Sequence, residues 1–133
     1  MNIKQSIHRI LEQENTLADL FYLVFLDKYP EVRRFFERVD MRRQAQVLTM
    51  VLLVLETHST HGYPATTRYL RQLGTDHQRW GIKPELYPHF RDALLETLRR
   101  FHGSNWTPEV AGEWELAIDR AIATMLEGYS DNG

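Results

Sequence analysis

The 133 residues, 43% of them apolar, suffice for one domain with a real core, and a single domain over 1–133 is expected. A formal charge of −2 gives no electrostatic reason to expect nucleic acid or an anionic membrane as partner. The absence of cysteine excludes disulfides, thiolate metal sites, iron–sulfur clusters and cysteine nucleophiles, and agrees with a cytoplasmic location.

Along the chain, apolar residues recur at helical spacing and no segment sustains a period of two. The opening "MNIKQSIHRI" has no continuous apolar stretch of the kind a secretion signal needs. A first helix is predicted from about Ile3 to Gln13, and a second through "LADLFYLVFLDKY", started by Thr16 with Asp19 as a capping box. Pro30 opens a short helical turn, "EVRRFF". Asp40 can cap the next helix, predicted to end near Thr57 and apolar on nearly every side, hence central. Its run "VLTMVLLVL" is about half of the roughly 20 residues a membrane span needs, so a buried helix is the reading. "HSTHGYP" reads as a loop, after which Pro64 leads a helix ending at His77. Pro84 starts a helix with a stripe of Leu86, Phe90, Leu94, Leu98 and Phe101, stopped by Gly103. Thr107-Pro108-Glu109 starts the last helix, with Val110, Trp114, Ala117, Ile118, Ala121, Ile122, Met125 and Leu126 on one face. The fold class is therefore all-α, with about six or seven helices.

An up-down bundle favours helices of similar length joined by short loops. Here the lengths are unequal, and short connections stand at "YPEVRRFF" and "WGIKP", a pattern that suits helices crossing steeply around something central. Periodicity alone fits a plain helical domain equally well. His77 closes one apolar-patterned helix and is followed by a helix stop and a proline-led restart. A histidine so placed suits a single imidazole ligand offered to a flat cofactor; by itself it also fits a helix cap or a surface residue.

Four separated blocks, in order, resemble the globins, specifically bacterial single-domain haemoglobins and the haem domain of flavohaemoglobins. They are "LFYLVFLDKYPEVRRFF", the Gln44–Leu48 segment, "LGTDHQRWGIKPELYPHF" and "WTPEV" with the later Trp114. The similarity runs from about Ile7 to Met125, and the separations Tyr22 to Phe36 and His77 to Tyr87 match that family's spacing. What the resemblance implies is a globin fold around haem b, with His77 as the iron ligand. Tyr87 matches the tyrosine that backs the ligand histidine in flavohaemoglobins. The glutamate of that pattern is missing: its position falls on Tyr129, and the nearest carboxylate is Glu127, which argues against peroxidase-like or dioxygenase-like tuning.

On the other side, the resemblance makes Tyr22 and Gln44 the polar residues facing a bound ligand. Phe36 matches the aromatic that stacks on the porphyrin, with Phe35 along the same edge. Leu48 and Val51 face the ligand pocket with Val47 at its rim, and Leu73, Ile82, Phe90, Ile118 and Met125 line the histidine side. Each of these apolar positions serves a plain core equally well. Arg38, Arg42 and Arg43 stand near the haem edge that the resemblance implies, where one can pair with a propionate, or they form an exposed basic turn. His58 and His61, with Glu56, are read as solvated loop residues rather than a zinc site, and His8, His89 and His102 carry no motif.

The function implied is reversible binding of dioxygen, nitric oxide or carbon monoxide at a five-coordinate iron. An alternative is a nitric oxide dioxygenase or peroxidase-like enzyme drawing electrons from a separate reductase, since the chain carries no flavin reductase segment. A third reading is a haem-free globin-like interaction protein. Small gases and a reductase are the expected partners, with no nucleic acid or membrane, as monomer or as homodimer through Trp80 and Tyr63.

Overall fold

Local chemistry sets the helix starts. Asn2 and Gln5 exchange side-chain and backbone hydrogen bonds in a capping box ahead of α1 (Ile3–Glu12). Asp40 Oδ1 accepts from the backbone N–H groups of Arg42 and Arg43, opening α3 (Met41–His61). Pro64 occupies the first turn of α4 (Pro64–Arg79), and Thr107 with Pro108 opens α6 (Pro108–Glu127). Between them lie α2 (Thr16–Lys28) and α5 (Tyr87–His102), with 3₁₀ segments at Pro30–Phe36, Pro84–Leu86 and Gly103–Asn105. These assignments come from a computed structural model that describes residues 1–131. Among the described residues there is no strand, so the all-α expectation holds; with the seven-residue 3₁₀ segment counted, the helices number seven.

Four local expectations need correction. Helix α3 does not stop near Thr57 but runs to His61, leaving only Gly62 and Tyr63 as connection. Serine and threonine are weak helix formers, but here Thr60 donates to the buried Glu56 carboxylate and His58 bonds Thr66 and Thr124, holding the last turns. Gly62 then ends the helix at φ +63°, a left-handed conformation that glycine takes without strain. Nor is α3 covered all round: Met50 is 56% and Val47 43% exposed. At the start of α2, the cap position is Asn15, and the Thr16 hydroxyl donates backward to the Gln13 carbonyl instead of closing a capping box. Pro84 begins only a 3₁₀ turn, and α5 proper starts at Tyr87.

All six helices contribute to one apolar core, whose largest buried side chain is Trp114. Helix α2 packs on α5 and α3, whereas α4 packs chiefly on α6 and α6 also on α3. The α4–α6 crossing brings backbone against backbone. A Cβ on Gly74 would lie 1.8 Å from the Met125 carbonyl oxygen, and one on Gly128 2.0 Å from that of Arg71. Past this crossing the chain is stitched to α4: Thr75 Oγ1 donates to the Gly128 carbonyl, and the Gln78 amide exchanges two bonds with the Ser130 backbone. His102, which carries no sequence motif, sits in a buried knot. Trp114 Nε1 donates to Ser6 Oγ (2.9 Å), which lies 2.6 Å from His102 Nε2, tying α1, α5 and α6 together.

Candidate functional site

A cavity of about 600 Å³ lies between α2, the following 3₁₀ segment, α3, α4 and α5, with Met125 of α6 also lining it. That is within the roughly 300–1,000 Å³ of small-molecule and cofactor pockets. Phe35, Phe36, Leu48, Val51, Leu73, Ile82, Phe90 and Met125 make its walls, and the half-exposed Val47 stands at its mouth. Tyr22, Gln44, His77 and Tyr87 supply the polar groups. Ile118 is the exception among the sequence candidates. It is fully buried two helical turns before Met125, where α6 is packed into the core, and does not reach the cavity.

Several lining residues escaped the sequence reading. Leu55 continues the Leu48–Val51 stripe by one turn, and Phe21 and Phe25 flank Tyr22 on α2, so periodicity alone could have found them. Trp80, three residues after His77, lines the cavity while 59% exposed. No pattern pointed to Arg34. Its guanidinium rests over the Phe35 ring (4.7 Å), and it makes no ion pair among the described residues. Arg38, Arg42 and Arg43 do not line the cavity.

His77 is presented from the last turn of α4, three residues beyond the Gly74 crossing. Its Nδ1 lies 3.0 Å from Tyr87 Oη, Tyr87 Oη lies 3.1 Å from Tyr129 Oη, and the Tyr129 hydroxyl donates to the Ile82 carbonyl at 2.6 Å. The Ile82 N–H in turn donates to the His77 carbonyl (2.9 Å), so the connection after α4 is held at both backbone polar groups of Ile82. Glu127, the nearest carboxylate in sequence, is turned to the surface and paired with Arg71 at 2.7 Å. Burial lowers the His77 pKa to about 4, outweighing the nearby Asp76 charge, and keeps the ring neutral at physiological pH. Neutral imidazole is the form that ligates metals. Its Nε2 has no hydrogen-bond partner among the described residues.

Tyr22 enters from a different wall. Its ring is 8% exposed and held edge-on by Phe21 (5.0 Å) and Phe36 (5.4 Å). Gln44 Nε2 donates to Tyr22 Oη at 2.9 Å. Burial raises the Tyr22 pKa to about 12, with the Gln44 bond working the other way, so the phenol keeps its proton. That proton has no acceptor among the described residues. One apolar cavity thus holds an imidazole nitrogen and a hydroxyl proton that no group among the described residues engages. Both belong to side chains that line the cavity and are suited to an occupant that satisfies them. A flat apolar macrocycle carrying a metal fits this wall chemistry and donor set.

His58 makes no comparable site. Both its nitrogens are engaged by Thr66 and Thr124, and no group of three or more metal-ligating side chains gathers among the described residues. No described helix is long and apolar enough to cross a membrane.

The chain resembles the flavohaemoprotein of Oceanobacillus iheyensis, 25% identical over 97% of this chain and 33% of that protein. It is also 24% identical to the flavohaemoprotein of Bacillus subtilis, over 86% of this chain and 29% of that one. The chain therefore spans about a third of the length of these curated relatives. Among solved structures, a Pseudomonas aeruginosa protein described as highly homologous in structure to human haemoglobin superposes with a TM-score of 0.83. It is 29% identical, over 97% of this chain and 96% of that one. A bacterial globin from Campylobacter jejuni shares the fold at a TM-score of 0.81 and 20% identity, over 95% and 90%. The globin family model matches residues 18–126, most of the chain, and the chain belongs to the globin family.

Proposed function

We propose that this chain holds haem b in the cavity, with His77 Nε2 as the one protein ligand to iron, and reversibly binds dioxygen and other small gases. Haem supplies a ferrous iron with one open coordination position that takes dioxygen, nitric oxide or carbon monoxide. The observation that carries the reading is the pairing of the unmatched His77 Nε2 with the unmatched Tyr22 hydroxyl in one apolar cavity. The Tyr22 O–H, polarised by the Gln44 amide, is placed to donate to a partly negative ligand, a charge-assisted bond of about 1.5–3 kcal/mol. Phe35, Phe36, Leu48, Val51 and Leu73 exclude water, and Arg34 offers a positive charge at the edge for a carboxylate substituent.

The family membership and the flavohaemoprotein relatives support haem binding. The contacts of Tyr87 favour a binder over a peroxidase-like enzyme, because they end on the Ile82 carbonyl and include no carboxylate to draw a proton from His77. Nitric oxide dioxygenation, with electrons from a reductase, is the second reading, and the Tyr22–Gln44 pair serves it equally well. Steady nitric oxide consumption with only a generic reductant favours it; stoichiometric reaction followed by stalling favours the binder.

Haem titration of purified protein tests the proposal. A Soret band should appear that is lost or strongly shifted in His77→Ala, and the loaded protein should melt many degrees above the haem-free form, as ligand binding to the folded state requires. A Soret band indifferent to His77→Ala, or a melting curve unmoved by haem, overturns it.

A further inference from the structure

The geometry points to Tyr129 as a positioning residue that fixes which nitrogen of His77 carries the proton. The protons along one chain of hydrogen bonds can be placed one by one. A carbonyl oxygen can only accept, so the 2.6 Å contact between Tyr129 Oη and the Ile82 carbonyl must contain the Tyr129 hydroxyl proton. A phenol has one proton to give. At the 3.1 Å contact with Tyr87, Tyr129 Oη is therefore the acceptor, and the Tyr87 hydroxyl proton points toward it. Tyr87 has then spent its own proton, so at the 3.0 Å contact with His77 its oxygen accepts, and Nδ1 of His77 must carry the hydrogen. A neutral imidazole has one N–H, which leaves the Nε2 lone pair free on the cavity side.

The backbone reinforces this direction at both ends. Ile82 donates its N–H to the His77 carbonyl, and its own carbonyl accepts from Tyr129, so both backbone polar groups of this residue are engaged by the elements around His77. Tyr129 lies between Gly128 and Ser130, whose backbone groups are bonded to Thr75 and Gln78 of α4. The hydroxyl that sets the proton order is thus anchored to the helix that carries His77. Replacement of a carboxylate by a phenol at this place has a second consequence. The chain ends on a neutral peptide oxygen that cannot take up a proton, so His77 keeps its Nδ1–H and stays an imidazole rather than moving toward imidazolate. This deepens the haem reading and rests on it only for what the lone pair would bind.

The tautomer is read directly from imidazole nitrogen shifts and long-range proton–nitrogen correlations of His77 in ¹⁵N-labelled, haem-free protein near pH 7. The wild-type chain should show the Nδ1–H form, with Nε2–H a clear minority, as one oriented hydrogen bond requires. Tyr129→Phe removes one half-buried hydroxyl and keeps the ring. Tyr87 can then turn its proton to His77 Nδ1, and the Nε2–H form should rise above about a half. Tyr87→Phe, which leaves Nδ1 without a partner, should also lose the bias. A wild-type protein mainly in the Nε2–H form, or a folded Tyr129→Phe variant with the wild-type tautomer, overturns the inference. The measurement needs no haem, so a protein that takes up none loses the function proposed above while the tautomer still decides this question.

Discussion

Replacing Gly74 by alanine tests the account of how His77 is held. Helix propensity alone predicts a gain, since alanine in a helix interior is favoured over glycine by about 0.8–1 kcal/mol. The crossing predicts the opposite. The new methyl would stand 1.8 Å from the Met125 carbonyl oxygen, 2.6 Å from its carbon and 2.9 Å from its Cα, against ordinary contact at 3.4 Å or more. All three atoms are backbone, so no side chain can swing aside, and α4 and α6 must separate by roughly 1.5 Å. Opening a packed interface in this way costs about 1–3 kcal/mol and more when backbone moves. The lost Thr75–Gly128 and Gln78–Ser130 bonds would add about 1 kcal/mol each. The expected net loss is about 2–4 kcal/mol after the propensity gain, read as a fall in the urea midpoint of haem-free protein with little change in slope. Gly112→Ala is the matched control: Gly112 is also inside a helix, on α6, but nothing lies within 4 Å of its added methyl, so it should gain up to about 1 kcal/mol. If Gly74→Ala is as stable as the wild type, or shifts in the same direction as Gly112→Ala, the tight α4–α6 crossing is wrong, and with it the placement of His77.

Acid should weaken the fold through the buried histidines. The His102 pKa is lowered to about 4, chiefly by burial with Arg9 adding to it, so between about pH 6.5 and 4 the unfolded chain binds a proton that the folded chain refuses. Its contribution is complete above about pH 6.5 and is lost as pH falls toward 4; His102→Gln, which can still accept from Ser6, should flatten that part of the urea stability profile by about 2 kcal/mol, and an unchanged profile speaks against the buried knot. In the haem-loaded protein, Tyr22→Phe should raise the dioxygen dissociation rate about tenfold to a hundredfold while carbon monoxide release changes far less, as flash photolysis can measure. Equal effects on both gases would mean the hydroxyl does not reach the ligand. Arg34→Ala should speed haem transfer to a competing apo-globin a few-fold, with the difference shrinking in high salt. A variant that holds haem as the wild type does, at low salt, removes Arg34 from the site.

What could be read from sequence follows from how each feature is encoded. Caps and apolar stripes are local, so Asp40, Pro64, Gly103 and Thr107 marked helix ends correctly, and the stripes gave the cavity walls. The end of α3 was missed because its stabilising bonds lie outside local propensity: Thr60 bonds Glu56 four residues back, and His58 reaches across to α6 at Thr124. Ile118 was misassigned because residues seven apart on a helix share a face, and a face says nothing about where a cavity stops. His102 carries no local signal because its partner Ser6 is 96 positions away, and Trp114, which donates to the same hydroxyl, has no signature spacing from either.

Tyr129 shows the remaining gap between pattern and chemistry. At the level of pattern it is a missing glutamate, which argues against peroxidase-like or dioxygenase-like tuning and says nothing of what stands in the carboxylate's place. The structure keeps the support and changes its character: a hydroxyl accepts from Tyr87 where a carboxylate would, but it must pass its own proton on, and the Ile82 carbonyl is there to take the bond. Orientation is retained because it depends on acceptor capacity, which a phenol oxygen has. Negative charge is not retained, because burial raises the Tyr87 and Tyr129 pKa values and holds both phenols protonated. On the proposed haem reading, the two roles of a carboxylate behind a ligand histidine, aiming the ring and enriching it with electrons, are separable, and this chain keeps the first without the second.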